Sequence, residues 1–104
     1  MYAKVITWRL GESVRSAESY PRFLQDLAQR NVAALRRFGL LDGFVIRTGQ
    51  DTIMTVNLYE TAEQAETAWG AMVGTPAYAK SVDLELIDRV MGQAEDLPLL
   101  LTPD

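Results

Sequence analysis

Two segments of helical periodicity, each bracketed by strand-like runs, constrain this chain more than any other feature of its sequence. From Ser19 onward, Tyr20, Phe23, Leu24, Leu27, Ala34, Leu35 and Phe38 recur at helical spacing and form one apolar stripe. Ser19 offers an N-cap oxygen, Pro21 suits the first turn, and Gly39 supplies the stop. The second stripe follows Thr61-Ala62-Glu63-Gln64, a capping-box arrangement, and runs through Ala62, Ala65, Ala68, Trp69, Met72 and Val73. Gly74 interrupts it, and Thr75-Pro76 reads as a fresh cap for a short turn through Tyr78 and Ala79.

The runs between these stripes have strand character. Tyr2 to Leu10 (YAKVITWRL) is rich in β-branched and aromatic residues and is followed by Gly11. Leu40 to Thr48 reads as a second strand, with a bend or bulge expected at Gly43. Gly49-Gln50-Asp51 is a tight-turn signal, so this strand should form a hairpin with Thr52 to Tyr59. Leu84 to Met91 alternates well enough for a fourth strand. Each half of the chain is thus strand, helix, strand, the ferredoxin-like βαββαβ order: an α+β domain whose antiparallel sheet carries its helices on one face. The 104 residues suit one domain, expected over 1–92, with residues 93–104 as a leucine- and proline-containing tail. Tyr2, Ile6 and Trp8 on one side of the first strand, and Ala3 and Val5 on the other, leave neither side polar. A second copy of the chain is the expected cover, making a homodimer onto which the tail could pack.

Composition closes several routes to function. There is no cysteine, so disulfides, thiolate nucleophiles and thiolate-bound metals are out. There is no histidine, which removes the commonest general base and metal ligand. A net charge of −4 argues against a nucleic-acid partner, and Arg30, Arg36 and Arg37 suit the end of the first helix, where cations complement its dipole. No run approaches the length of a membrane span and the start lacks a signal-peptide layout, so a cytoplasmic location is expected. No P-loop or dinucleotide fingerprint occurs.

Individual residues carry paired readings. Trp69 sits on the second apolar stripe, either as core or as a pocket wall whose indole donates to a ligand. Asn31 interrupts the first stripe beside Leu27 and Leu35. A buried amide without partners costs about 1–3 kcal/mol, so either a structural hydrogen bond or a pocket contact must satisfy it. Thr55, Asn57 and Tyr59 share a strand face that points either into a pocket or into a subunit interface. Arg9 and Arg89, on strands expected not to be neighbours, would anchor an anion or pair with Glu85 or Asp88. Glu60, Glu63 and Glu66 read as a solvated face at a helix start, and Asp83 with Glu85 is weak evidence for a hard cation.

The opening MYAKVITWRL with its long amphipathic helix, the hairpin GFVIRTGQDTIMTVNLYE, and the run YETAEQAETAW followed by TPAYAK together carry a resemblance. The chain resembles the dimeric α/β-barrel superfamily, in particular domains like the antibiotic biosynthesis monooxygenases, over nearly its whole length. The resemblance implies a homodimeric barrel with a pocket between sheet and helices in each subunit. Some members degrade haem, using a helix-two tryptophan, a strand-one asparagine and a downstream histidine. Trp69 matches the first, but Ile6 and Thr7 occupy the strand-one region and Tyr78-Ala79-Lys80 the third, which argues against haem. Other members oxidise aromatic substrates with molecular oxygen and neither metal nor flavin. Their polar residues suggest Trp69, Asn57 and Tyr59 as catalytic positions and Tyr78 and Arg89 as ligand-binding ones, to which the interrupted apolar stripe adds Asn31. The expectation is a cofactor-free, metal-free protein for a small aromatic molecule, acting as a monooxygenase or as a non-enzymatic binding or structural dimer.

Overall fold

In the computed structural model, which describes residues 1–95, the β-rich runs form one four-stranded antiparallel sheet in the order β2-β3-β1-β4. The strands are β1 (Tyr2–Leu10), β2 (Leu40–Arg47), β3 (Thr52–Tyr59) and β4 (Leu84–Gln93). Helix α1 spans residues 19–36, helix α2 residues 62–73, and a short α3 runs Pro76–Ser81. The element order is the ferredoxin-like one anticipated. Of the tail expected over residues 93–104, Gln93 belongs to β4, and residues 96–104 lie outside the described residues.

Local chemistry explains the helix ends. Thr61 Oγ1 accepts from Gln64 N at 3.2 Å and Gln64 Oε1 accepts from Thr61 N, so the capping box closes as read. Thr75 Oγ1 accepts from Tyr78 N ahead of Pro76, and Gly39 adopts φ +91 after α1. The start of α1 differs. Ser16 Oγ accepts from Ser19 N while Ser19 Oγ accepts from Ser16 N, so the capping oxygen three residues upstream is Ser16 and Ser19 is its partner. The bend assigned to Gly43 also moves: the register shifts between Leu40 and Asp42, leaving Leu41 as the extra residue.

Strands β1 and β4 pair directly, with Ile6 opposite Arg89 and Arg9 opposite Glu85. That corrects the expectation that Arg9 and Arg89 lie on separated strands, because the ferredoxin-like crossover sets the last strand beside the first. Arg9 accordingly forms its ion pair with Glu85 at 2.7 Å. Asp83, at φ +55, accepts from the backbone and hydroxyl of Ser13, so it clasps the end of β1 to the start of β4. Among the described residues no group of three or more carboxylates could hold a metal ion, and no helix is long and apolar enough to cross a membrane.

Both helices pack on the same face of the sheet. Ile6, Trp8 and Leu10 of β1, Ile53 and Tyr59 of β3, Phe23 and Leu35 of α1, and Ala65, Ala68 and Val73 of α2 form the core. Burying each large aliphatic or aromatic side chain stabilises the fold by roughly 1.5–3 kcal/mol. The opposite sheet face is uncovered yet apolar. One row, Phe44, Val56, Val5 and Val90, crosses all four strands by direct register. At its two ends Phe44 is 52% and Val90 62% exposed.

Candidate functional site

Strand parity decides which residues can meet a ligand. Thr55, Asn57 and Tyr59 pair in register with Ile6, Lys4 and Tyr2, and all point toward the helices. The mixed polar face of β3 therefore lies under α1 and α3, not on the open side of the sheet. There a cleft of about 160 Å³ opens between sheet and helices. Its walls are apolar (Leu24, Leu27, Val32, Leu35 and Val73 among them), and its polar groups come from Asn31, Thr55, Asn57 and Tyr78.

Each polar group has a positional cause. Residues Leu27–Val32 form a π-helical segment inside α1, and this i→i+5 winding turns Leu27, Ala28, Asn31 and Val32 toward the cleft. Asn31 Nδ2 donates to the Tyr78 hydroxyl at 3.3 Å, so the amide that interrupts the apolar stripe is met by a side chain of α3. The long distance leaves that contact weak and exchangeable. Trp8 Nε1 donates to Thr55 Oγ1 at 3.1 Å, and its ring lies 6.1 Å from that of Tyr78. Gly43 lines the cleft opposite Asn57, and a Cβ there would sit 3.3 Å from Asn57 Oδ1. The absent side chain keeps the amide's surroundings open.

Burial pushes the Tyr78 phenol up to about 12, with the Asn31 amide acting weakly in the opposite sense. Tyr59, 1% exposed, is raised to about 12 by burial as well. Near neutral pH both phenols are protonated donors. Tyr78, which lines the cleft, can therefore stabilise an oxygen on a ligand and cannot remove a proton from one.

The six residues expected at the site therefore fall into separate places. Asn31, Asn57 and Tyr78 converge on the cleft, while Tyr59 is packed into the core. Trp69 and Arg89 belong to a second cluster under α2. The Arg89 guanidinium carbon lies 4.5 Å from the centroid of a Trp69 ring, and the Lys4 ammonium lies 4.6 Å from one. Trp69 is held by close approach to Gly74, where a Cβ would come within 2.3 Å of the indole. Glu66 is exposed, as expected of a solvated face, and its carboxylate also reaches Lys4 at 3.2 Å. Lys4 is 2% exposed, and its Nζ makes no contact of hydrogen-bond geometry. Burial lowers its pKa, opposed by Glu66.

Sequence reasoning missed Lys4 and Trp8. The available signal was parity: Lys4 shares a strand face with Tyr2, Ile6 and Trp8, so a charge stood in a row otherwise fit for burial.

The sheet order, the helices confined to one face and the cleft between them define a ferredoxin-like α+β domain. Solved structures share this fold. HapK from Hahella chejuensis superposes with a TM-score of 0.61 at 12% identity, covering 91% of this chain and 93% of that one. A dimeric ferredoxin-like protein from an uncultured marine organism gives 0.60 at 12%, over 93% and 97%. A proposed antibiotic biosynthesis monooxygenase from Deinococcus radiodurans gives 0.61 at 14%, over 98% and 100%. At these identities the likeness is one of fold. No family model matches the chain, and no curated protein does.

Proposed function

We propose that this chain is a homodimer that binds a small aromatic molecule in the cleft of each subunit. The observation that carries the ligand is the meeting of Asn31, Asn57 and Tyr78 in an otherwise apolar space of about 160 Å³. Engineered apolar cavities of about 150 Å³ accept benzene, whereas pockets for larger ligands start near 300 Å³. The size therefore favours a single ring, and the neutral donors favour one carrying a carbonyl, phenol or phenolate oxygen. Titration with 4-methylphenol by calorimetry should show one site per chain. Asn57→Ala and Tyr78→Phe should each weaken it roughly twofold to tenfold, since a net hydrogen bond contributes about 0.5–1.5 kcal/mol. Trp69→Phe, outside the cleft lining, should change it less than either. Equal affinity in all three variants would place the ligand elsewhere.

The apolar row Phe44, Val56, Val5 and Val90 supports the dimer, because a second copy can cover it by the same surface. Solved neighbours described as dimeric ferredoxin-like proteins support the same reading. A sedimentation mass near twice 11.6 kDa is expected, with Val56→Asp shifting it to the monomer. A monomeric parent chain at micromolar concentration is the contrary result.

An enzymatic reading is favoured by the proposed monooxygenase neighbours. Among cleft-lining residues the only ionisable group is the raised Tyr78 phenol, so a substrate would have to lose its own proton. Asn57 and Tyr78 would then stabilise the resulting oxyanion. In such a reaction a ring methylene and O₂ become a carbonyl and water, all electrons coming from the substrate. Oxygen uptake with an acidic polyphenol, reduced in Asn57→Ala, separates this reading from a non-enzymatic binding or structural dimer.

A further inference from the structure

Beside the cleft lies a larger space that the single-ring reading does not use. A groove of about 640 Å³ runs along the outer side of α1 toward the end of α3. Leu27 and Asn31 line both the groove and the cleft, so the π-helical segment is the threshold between them. Unlike the largely apolar cleft, the groove is lined about equally by polar and apolar surface, and two of its charged side chains stand beside that threshold. Asp26 and Arg30 precede Leu27 and Asn31 by one residue each, and both line the groove. Spaced four apart, they could have paired with one another, yet among the described residues neither takes part in an ion pair. Glu18, Arg22 and Asp83 also line the groove, but Asp26 and Arg30 are the carboxylate and guanidinium that adjoin the threshold residues, at the mouth of a space that fits one ring.

We propose that cleft and groove form one bipartite site for an aromatic molecule with a zwitterionic arm. The ring lies inside, while the arm's carboxylate meets Arg30 and its ammonium meets Asp26. This rests on the cleft being the ligand site. A guanidinium binds a carboxylate with two parallel hydrogen bonds, and the adjacent carboxylate both attracts the ammonium and disfavours a purely anionic arm.

The test compares four para-substituted phenols by calorimetry on the full chain. They are 4-methylphenol with no charged arm, 4-hydroxyphenylacetate with an anionic one, tyramine with a cationic one, and tyrosine with both. Tyrosine should bind about tenfold more tightly than 4-methylphenol, the scale of two charge-assisted contacts near a surface. Arg30→Gln and Asp26→Asn should each shrink the difference between those two ligands. Both substitutions lie on the solvent side of α1, and far-UV circular dichroism will confirm that the fold is retained. Binding of 4-methylphenol with no advantage for tyrosine overturns the bipartite site and leaves the cleft reading standing. An advantage shared equally by 4-hydroxyphenylacetate or by tyramine overturns the zwitterionic arm. No binding by any of the four overturns both readings.

Discussion

Between about pH 10 and about pH 12 the protein is expected to lose a large part of its stability, and two tyrosines set that window. Tyr59 and Tyr78 are both raised by burial from 10.0 to about 12. A group whose folded pKa lies above its unfolded value holds more protons in the folded state. Its contribution is complete below pH 10 and disappears as pH rises through about 12. Shifts of this size correspond to at most a few kcal/mol per tyrosine, a sizeable part of the about 5–15 kcal/mol of an ordinary domain. Lys4 acts in the other direction. Its folded pKa is lowered from 10.5, so stability rises with pH between that lowered value and 10.5. Thermal melting against pH should therefore show a maximum on the alkaline side of neutrality, then a steep fall. Tyr59→Phe and Tyr78→Phe should each flatten the fall. An alkaline limb unchanged in both variants would remove the tyrosines as its cause.

The second large effect concerns the cation under α2. Glu66→Ala should destabilise the fold by about 1–3 kcal/mol, less than the about 3–5 kcal/mol for breaking a fully buried pair. The reduction is expected because the Glu66 side chain is 53% exposed and partly screened by solvent. The cost arises from leaving the Lys4 ammonium buried beside Trp69 with no counter-charge. Lys4→Met, which fills the same space without a charge, should be neutral or stabilising and should erase the cost of Glu66→Ala when combined with it. Urea unfolding of the two single variants and the double variant completes this cycle. If Lys4→Met destabilises as much as Glu66→Ala, the ammonium is a net contributor and the desolvation argument fails.

Much of the fold was legible because local chemistry and periodicity agreed. Thr61 with Gln64, Thr75 with Pro76, and Gly39 after the first stripe each name a helix boundary by a mechanism that needs no tertiary contact. The hairpin at Gly49 to Asp51 was readable for the same reason. Where local signals compete, reading was weaker. Two serines three apart can each cap a helix, and only the hydrogen bonds show that Ser16 takes that role. A glycine in a strand marks either a bulge or a close approach, and Gly43 proves to be the second, facing Asn57 beside a bulge at Leu41.

The candidate site was legible only as an inventory. Asn31, Asn57, Tyr59, Trp69, Tyr78 and Arg89 were all recognisable as polar or aromatic groups on otherwise apolar faces. Their division into a cleft under α1 and a cation-flanked indole under α2 was not. These residues are far apart in sequence, and their proximity depends on which helix covers which pair of strands.

By itself the sequence determined the order of elements, their caps and turns, and a chemistry without histidine or cysteine. These follow from residue type and near-neighbour spacing. The tertiary structure decided which side of each strand faces the helices. It thereby placed Asn57 beside a cleft, Lys4 in the core and the row from Phe44 to Val90 in the open. The physical reason is that a two-residue repeat divides a strand into two faces without labelling them. Only the packing of distant helices onto one face gives each its surroundings.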